Sequence, residues 1–259
     1  MAQYGIGLSA LNAFSEAIDV TSNNIANGQT VGYKQAEYVF ADQFFKAQNP
    51  QSRDRAGMGT SRMIIRRANT YGTISGTQNP LDLAIAGPGM FILAKQVDGT
   101  TPTENPQKFQ YTRNGQFTVD GDGNMVTSGA GYQVQPNIVI PPDATSIMVS
   151  QDGEVSVRLA GQVENAVLGQ LTVTNFINPA GLEPIGQNLF KETPASGDPV
   201  QGIPGLEGLG IIVQGALETS NVNVTEELVS LIESQRVYEM NSKVISSVDQ
   251  MLGTAIQQL

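Results

Sequence analysis

The sequence predicts an α+β protein in which discontinuous terminal helices form a coiled-coil α domain, with an inserted all-β domain and extended linkers. Three observations predict this class. Apolar residues recur with helical spacing at both ends of the chain, they alternate with period two from Leu81 to about Pro204, and Gly- and Pro-rich segments lie between these regions. The predicted parts are an N-terminal helix of the core domain within residues 1–35, a linker at 36–80, a β-rich outer domain at 81–204, a returning linker at 205–221 and a C-terminal helix at 222–259.

The N-terminal helix is predicted from residue 4 to residue 27. Its apolar residues keep a heptad spacing, and interspersed alanines favour the helical conformation. Asn27 and Gly28 are expected to end the helix, because both tolerate the left-handed conformation found at helix C-termini. The side chains expected to face partner helices are Leu11, Phe14, Ile18 and Ile25.

A polar segment follows this helix, and its chemistry is that of a turn with a glycine-bearing exit rather than of a reactive site. Residues 35–80 are predicted to be extended. Five arginines crowd part of this stretch, and they form either a solvated face or a surface for an acidic partner. They are Arg53, Arg55, Arg62, Arg66 and Arg67.

The β domain is predicted from short alternating runs that are separated by turn signals. Leu81–Ile85 alternates cleanly, and Asn114-Gly115 is a strong hairpin signal between two further strands. Additional strands are predicted at 90–93, 111–113, 117–119, 125–126, 138–140, 147–149, 155–158 and 167–176.

The C-terminal helix carries two adjacent apolar seams. The first consists of Val224, Leu228, Leu231, Tyr238, Ile245, Leu252, Ile256 and Leu259, and the second of Val237, Val244, Val248 and Met251. Two seams make a stripe wider than one partner helix can cover. The N-terminal helix is one expected partner, and the remaining surface is expected to contact other subunits. Contacts that do not close on themselves would then build a ring or a helical tube.

Composition excludes several classes of function. The 259 residues include no Cys, His or Trp, which excludes disulfides, thiol nucleophiles, Ser-His-Asp chemistry and the usual zinc ligands. The formal charge of −10 argues against nucleic-acid binding. No apolar run is long enough to span a bilayer, so no membrane insertion is expected. Residues 1–33 contain no Lys or Arg, so any export is expected to proceed without a cleaved secretory signal.

No motif indicates a catalytic, cofactor or metal site. Asp120, Asp122 and Asn124 begin like a calcium loop, but Met125 stands where that loop needs glycine. The glycines at 205–210 have the wrong order for a dinucleotide fingerprint. Glu226 and Glu227 are expected to favour the start of the last helix through its dipole. A carboxylate-dependent wall hydrolase remains a remote alternative, since paired acids are recognised only by geometry.

Several segments resemble the bacterial flagellar axial proteins of the rod and hook. The N-terminal signature consists of Asn24, Ile25, Ala26, Asn27, Thr30, Gly32, Tyr33 and Lys34. The segments at 81–91 and 111–115 resemble the β domain of the same family. In the C-terminal half, Phe176–Leu182, Ile185–Phe190, Glu233–Lys243 and the run Glu218, Thr219, Ser220, Asn221 are most similar to the members that build the distal part of the rod.

The resemblance implies a structural subunit of the flagellar rod, most like its distal part, that polymerises helically into the drive shaft between motor and hook. Implied partners are other copies of the chain, proximal rod proteins below, hook subunits above and the surrounding L-ring and P-ring bushing. Export through the flagellar type III apparatus, assembly beneath a rod cap and a position across the periplasm are also implied. A proximal rod or hook-like member of the same family is the alternative.

Overall fold

The structure is a computed structural model that describes residues 2–44, 57–60, 64–94, 109–129, 131–162 and 164–257. It confirms the α+β class in its coarse form, since one helix lies near each end of the chain and the middle is mostly β. Contacts divide the chain into two units. The first contains residues 1–28, 35–68 and 222–259, and the second contains residues 29–34 and 69–221.

The first unit contains both helices and four short strands. Helix α1 is Ala2–Ala26, strands β1 to β4 are Ala36–Val39, Asp42–Phe44, Gly57–Thr60 and Ile64–Arg67, and helix α2 is Val224–Gln257. Strand β1 pairs with β4, and β2 pairs with β3, both antiparallel. The linker predicted at 36–80 stays a prediction. The described residues between 35 and 68 belong to the same unit as the helices, and within it β1 and β3 contact α1.

The second unit is built from antiparallel strands. They are β5 Ile74–Gly76, β6 Leu83–Ala86, β7 Met90–Ala94, β8 Phe109–Thr112, β9 Phe117–Val119, β10 Met125–Thr127, β11 Gln133–Gln135, β12 Ala144–Val149, β13 Glu154–Leu159, β14 Asn165–Gln170, β15 Val173–Asn175, β16 Glu183–Gly186, β17 Leu189–Lys191, β18 Val200–Gly202, β19 Ile211–Gln214 and β20 Ala216–Glu218. A nine-stranded sheet runs in the order β16-β17-β8-β7-β11-β10-β9, with β15 also pairing β7 and β18 pairing β15. Strands β12, β13 and β14 form a second sheet, while β19 pairs β6 and β20 pairs β5.

Strand β7 separates two apolar clusters, because successive side chains of a strand point to opposite faces. Phe91 and Leu93 lie in the larger cluster, where the Phe91 ring meets Phe117 edge-to-face at 5.1 Å. Ile92 lies in the smaller one, where Tyr111 meets Phe176 in the same way at 4.8 Å. This alternation is what the period-two pattern predicted.

Two strand predictions were wrong in detail. The run at 138–140 is not a strand; only Val139 forms an isolated bridge, with Asn124. Pro136 and Pro141 flank this run and cannot donate ladder hydrogen bonds, so the chain places Ile138 and Ile140 in the core without extending the sheet. The single strand predicted at 167–176 is interrupted after Gln170, and its two parts, β14 and β15, belong to different sheets.

Candidate assembly surface and a buried ion-pair cluster

Helices α1 and α2 pack antiparallel. A Cβ atom added at Gly7 would lie 3.0 Å from Ile245 Cγ1, and one added at Gly28 would lie 2.7 Å from Val224 Cγ2. The beginning of α1 therefore faces the later part of α2, and its end faces the start of α2. Glycine at both positions allows this close approach, because any larger side chain would have to displace its neighbour.

The most deeply buried face of α1 consists of small or polar residues. Its members are Ala13, Ala17, Val20, Thr21 and Asn24, each at most 9% exposed. The antiparallel register places Ala17 level with Ser234 of α2, which is 4% exposed. The predicted seam residues Leu11, Phe14, Ile18 and Ile25 lie beside this face and are half-buried. Phe40 covers part of Phe14, with ring centroids 5.3 Å apart.

The predicted seams of α2 divide between covered and uncovered positions. Leu231, Ile245, Val248 and Val237 are half-buried. Leu252 and Ile256 have side chains outside the described residues, and Leu259 lies outside them altogether. Large apolar side chains that remain 38% to 62% exposed are Val224, Leu228, Val229, Ile232, Tyr238, Met240, Val244 and Met251. The role of all these side chains in assembly remains a prediction.

The uncovered apolar side chains of α2 occupy two flanks of the helix. In the N-terminal half, Val224, Leu228 and Ile232 are spaced four residues apart and so share one flank. In the C-terminal half, Met240, Val244 and Met251 lie on the other flank. Exposed apolar side chains grouped in this way are typical of an interaction site, and that role stays a prediction for α2.

Buried polar contacts join the end of α1 to the start of α2. The Asn24 side chain accepts a hydrogen bond from the Ala36 backbone nitrogen and donates to the Ala36 carbonyl, both at 2.9 Å, as a neighbouring strand would. Its Nδ2 also donates to Glu227 Oε2 at 3.3 Å, and Gln35 Nε2 donates to Glu227 Oε1. Asn223 caps α2, because its side chain accepts from the Thr225 backbone nitrogen at 3.2 Å. Glu227 is thus a buried partner, a role the sequence analysis missed.

In the second unit, three charged side chains form a buried cluster: Glu218, Lys34 and Arg113. Glu218 lies at its centre and is 1% exposed. Lys34 Nζ lies 2.7 Å from Glu218 Oε1, and Arg113 Nε donates to Oε2. The Gly72 backbone nitrogen donates to Oε1 at 2.9 Å. Lys34 of the N-terminal signature, Arg113 directly after β8, and Glu218 at the end of β20 are therefore brought together, although they belong to three separate segments of the sequence.

The two cations of this cluster have further partners. Arg113 Nη2 donates to the carbonyls of Ile85 and Gly87 at 2.8 and 2.7 Å, and Nη1 donates to the Gly89 carbonyl. The Tyr71 ring lies under both cations, with its centroid 4.9 Å from Arg113 Cζ and 5.3 Å from Lys34 Nζ. Arg113 thereby holds the turn at residues 85–89 against the cluster.

Electrostatics favour the ionised carboxylate. Burial alone would raise the pKa of the Glu218 carboxyl, but the charges of Arg113 and Lys34 and their hydrogen bonds outweigh it, so this pKa lies below its ordinary value. Burial lowers the pKa of Lys34, against the opposing effect of Glu218. Both pKa shifts are consistent with the composition of the cluster. Glu218 has two cationic partners, which outweigh its loss of water, whereas Lys34 has one carboxylate partner, which does not.

The remaining signature residues surround this cluster or end α1. The Gly32 backbone nitrogen donates to the Glu218 carbonyl at 2.8 Å, and Gly32 has φ +68° with the Asn114 nitrogen 2.7 Å from any added Cβ. A side chain at position 32 would therefore be strained and crowded. Backbone or side-chain hydrogen bonds also involve Asn27, Thr30, Tyr33, Thr219 and Asn221, while Ser220 is buried, Ile25 is half-buried and Ala26 is exposed.

Within the described part of the chain, no group of three or more acidic side chains is arranged to hold a metal ion. Across the same residues, neither helix combines the length and the apolar content needed to cross a membrane.

Three family models match successive parts of the chain. Residues 6–34 match "Flagella basal body rod protein", residues 84–157 match "Flagellar hook protein FlgE/F/G D1 domain", and residues 213–258 match "Flagellar basal body rod FlgEFG protein C-terminal". The chain belongs to the flagellar basal-body rod protein family. The matched ranges contain most of α1, the strands around Arg113, and α2 with Glu218.

Relatives extend this similarity over nearly the whole chain. A flagellar basal-body rod protein FlgG of Buchnera aphidicola is 40% identical over 95% of both chains. One from Agrobacterium fabrum is 39% identical over the full length of both, and one from Caulobacter vibrioides is 41% identical over 93% of this chain and 92% of its own. The prediction of a structural rod subunit of the distal-rod type, and not an enzyme, is confirmed. Membership of this rod family implies self-polymerisation in the flagellar basal body.

Proposed function

We propose that this rod subunit polymerises helically, with its terminal helices forming an inner coiled-coil tube and its inserted β domain forming an outer wall. The observation that carries this proposal is the apolar surface that α1 leaves uncovered on α2. Val224, Leu228 and Ile232 on one flank, and Met240 and Val244 on the other, are between 38% and 60% exposed. Apolar side chains on two flanks need two further neighbours, and self-polymerisation of the family supplies them as copies of the same chain.

The polymer acts as a drive shaft. Each subunit contacts several neighbours through apolar surfaces, so torque is distributed over many contacts rather than carried by one. The shaft connects proximal rod proteins below with hook subunits above, spans the periplasm and turns inside the L-ring and P-ring bushing. The chain carries a formal charge of −10, and an acidic outer wall would repel a like-charged bushing and limit adhesion.

Assembly follows export of the unfolded chain through the flagellar type III apparatus and addition beneath a rod cap. A chain without Cys forms no disulfides during this passage. Isolated helices gain most of their stability from packing, so α1 and α2 are expected to become fully ordered only between neighbouring subunits.

Substitution of the uncovered flanks tests the inner-tube arrangement. Leu228→Asp and Val244→Asp change side chains that are 45% and 60% exposed, so the melting temperature of the isolated chain should change little. Rod assembly should fail, because the polymer would bury an unpaired carboxylate. The measurements are thermal unfolding of the purified chain and electron microscopy of basal bodies from cells that carry each variant.

Two further variants complete the design. Ser246→Asp adds the same charge at an exposed polar position of α2, two residues from Val244 and so on the opposite side of the helix, and should allow rods to form. Leu231→Asp changes a half-buried position and should weaken both helix packing within the subunit and assembly. Rods of normal length from the Leu228→Asp strain would contradict the proposal.

A further inference from the structure

Ile177 is the most exposed large apolar side chain among the described residues, at 85%. It follows strand β15, within the segment whose likeness to the distal rod members was noted from the sequence. Its neighbour Phe176 and the nearby Leu182 are only 4% and 6% exposed and lie in the smaller apolar cluster. The loop is therefore anchored on both sides while Ile177 projects into solvent.

Hydrogen bonds hold this loop against a second loop. The Asn178 backbone nitrogen donates to the Ser196 carbonyl at 3.2 Å, and its Nδ2 donates to the Ala195 carbonyl at 3.0 Å. Ser196 is fully buried, and its hydroxyl donates to the Thr193 carbonyl at 2.8 Å. Ile177 consequently stands on a pre-organised support, so a partner would bind it with little cost for ordering the backbone. We call this feature the Ile177 knob.

A shallow apolar depression lies elsewhere on the same unit. Its apolar walls are Ile203, Pro204, Leu206 and Ile211, and its volume is about 430 Å³. Leu206 and Ile203 remain 57% and 37% exposed. The depression is thus open and mostly apolar, with Gln151, Asp152 and Gln170 as its polar lining, and it is larger than an isoleucine side chain.

The knob and the depression lie at opposite ends of the ribbon formed by β15 and β18, which is part of the nine-stranded sheet. Strands β15 and β18 are antiparallel, with Asn175 opposite Val200 at one end and Val173 opposite Gly202 at the other. The chain leaves the first end of β15 towards Ile177, and it leaves the second end of β18 towards the depression. A subunit therefore presents an apolar projection at one end of this ribbon and an apolar recess at the other.

We propose that the Ile177 knob of one subunit enters the Ile203–Leu206 depression of the next copy of this chain. The inference rests on the proposed self-assembly and specifies one of its contacts. Two different surfaces meet, so the contact is heterologous, and a heterologous contact that does not close on itself builds an open polymer. It joins the β units directly, in addition to the contacts of the helices.

Apolar burial, rather than charge attraction, provides this contact. On the side of the knob, one cation, Lys191, lies near two carboxylates, Glu192 and Asp198. On the side of the depression, Asp152 lies at the edge. In the proposed contact, carboxylates would therefore lie on both sides. Screening by added salt should strengthen the association, whereas a contact built on ion pairs would weaken.

Paired cysteines test the contact, because the chain has no cysteine of its own. Rods assembled from an Ile177→Cys/Leu206→Cys double variant are oxidised and separated on a non-reducing gel. A ladder of covalent multimers is expected, since each subunit would link to the next. Each single variant should yield only monomers, and rods that combine the two single variants should yield dimers. A matched Ile177→Cys/Val167→Cys variant, with Val167 61% exposed on β14, should give no ladder.

An Ile177→Asp variant gives a second readout. Its melting temperature should equal that of the parent chain, because the side chain is already exposed, while the concentration needed for polymerisation should rise roughly ten- to a hundredfold. The knob contact is wrong if rods form normally but neither the double variant nor the mixed rods cross-link. It is also wrong if Ile177→Cys links to itself. In both cases the rod function stands. Failure of the parent chain to enter rods would instead remove the proposed function.

Discussion

Glu218→Gln is expected to destabilise the β unit far more than its isosteric shape suggests. In the structure the carboxylate accepts hydrogen bonds from Lys34, Arg113 and the Gly72 backbone nitrogen, and it is 1% exposed. A neutral amide removes the carboxylate that both cations contact. It also turns an N–H group towards one of three donors, which leaves that donor without an acceptor.

The magnitude follows from the burial of the cluster. Removing one partner of a buried ion pair typically costs about 3–5 kcal/mol, because the remaining charge is left uncompensated. For a folded unit of this size, each kcal/mol lowers the melting temperature by roughly 2–4 °C, so a fall on the order of 6–20 °C is expected. Lys34→Met should cost less, since Glu218 keeps Arg113 as its partner. Combining both substitutions should cost less than their sum by at least about 1 kcal/mol, because no unpaired ammonium group remains.

The assay is thermal and urea unfolding of the full chain, monitored by near-ultraviolet circular dichroism. The matched control is Glu37→Gln, which makes the same chemical change in the Glu37–Arg66 pair, whose side chains are 39% and 63% exposed. That control should change stability by no more than about 1 kcal/mol. Equal effects of Glu218→Gln and Glu37→Gln, or full additivity with Lys34→Met, would refute the argument that Glu218 is needed as a counter-ion.

Further predictions concern pH, backbone packing and capping. Burial would raise the pKa of Glu218, but Arg113 and Lys34 hold it below its ordinary value. Its contribution to the free energy of unfolding should therefore be present above that ordinary value and be lost as pH falls through the folded pKa. Acid titration of stability should show this component in the parent chain and not in Glu218→Gln. Gly115→Ala should destabilise strongly because its Cβ would overlap the Leu83 carbonyl, whereas Gly121→Ala, with open space around it, should unfold at nearly the parent temperature. Asn223→Ala should cost about 1 kcal/mol of helix stability in the assembled rod, because it removes the N-cap of α2. Hydrogen exchange at the start of α2 measures this loss, and an unchanged exchange rate there would contradict the capping role.

Local patterns predicted the two helices well. The sequence indicated helices at 4–27 and 222–259, and the structure has Ala2–Ala26 and Val224–Gln257. Helix periodicity and capping residues act within a few positions of each other, so they can be detected without tertiary information. The hairpin predicted at Asn114-Gly115 was wrong, because β8 pairs with β7 and β17 whereas β9 pairs with β10, and the choice of pairing partner is not a local property.

Strands whose limits depend on distant partners were predicted less well. The split between β14 and β15 and the irregular path at 138–140 both depend on which sheet supplies the pairing neighbour. The Glu218 cluster joins residues 184 and 105 positions apart, and an ion pair leaves no periodic trace in the sequence. The sequence shows only that these charged residues lie beside apolar β runs, and this does not identify their partners.

The sequence by itself determined the structural class, the absence of cysteine and histidine chemistry, the extent of both helices and the membership of the flagellar axial proteins. Each depends on composition, local periodicity or motif identity. Tertiary structure alone decided which face of α2 is covered by α1, which apolar side chains remain for neighbours, and that Lys34, Arg113 and Glu218 form one cluster. Those features depend on contacts between residues distant in the chain, and the energy of such contacts is set by burial and geometry that only the folded protein creates.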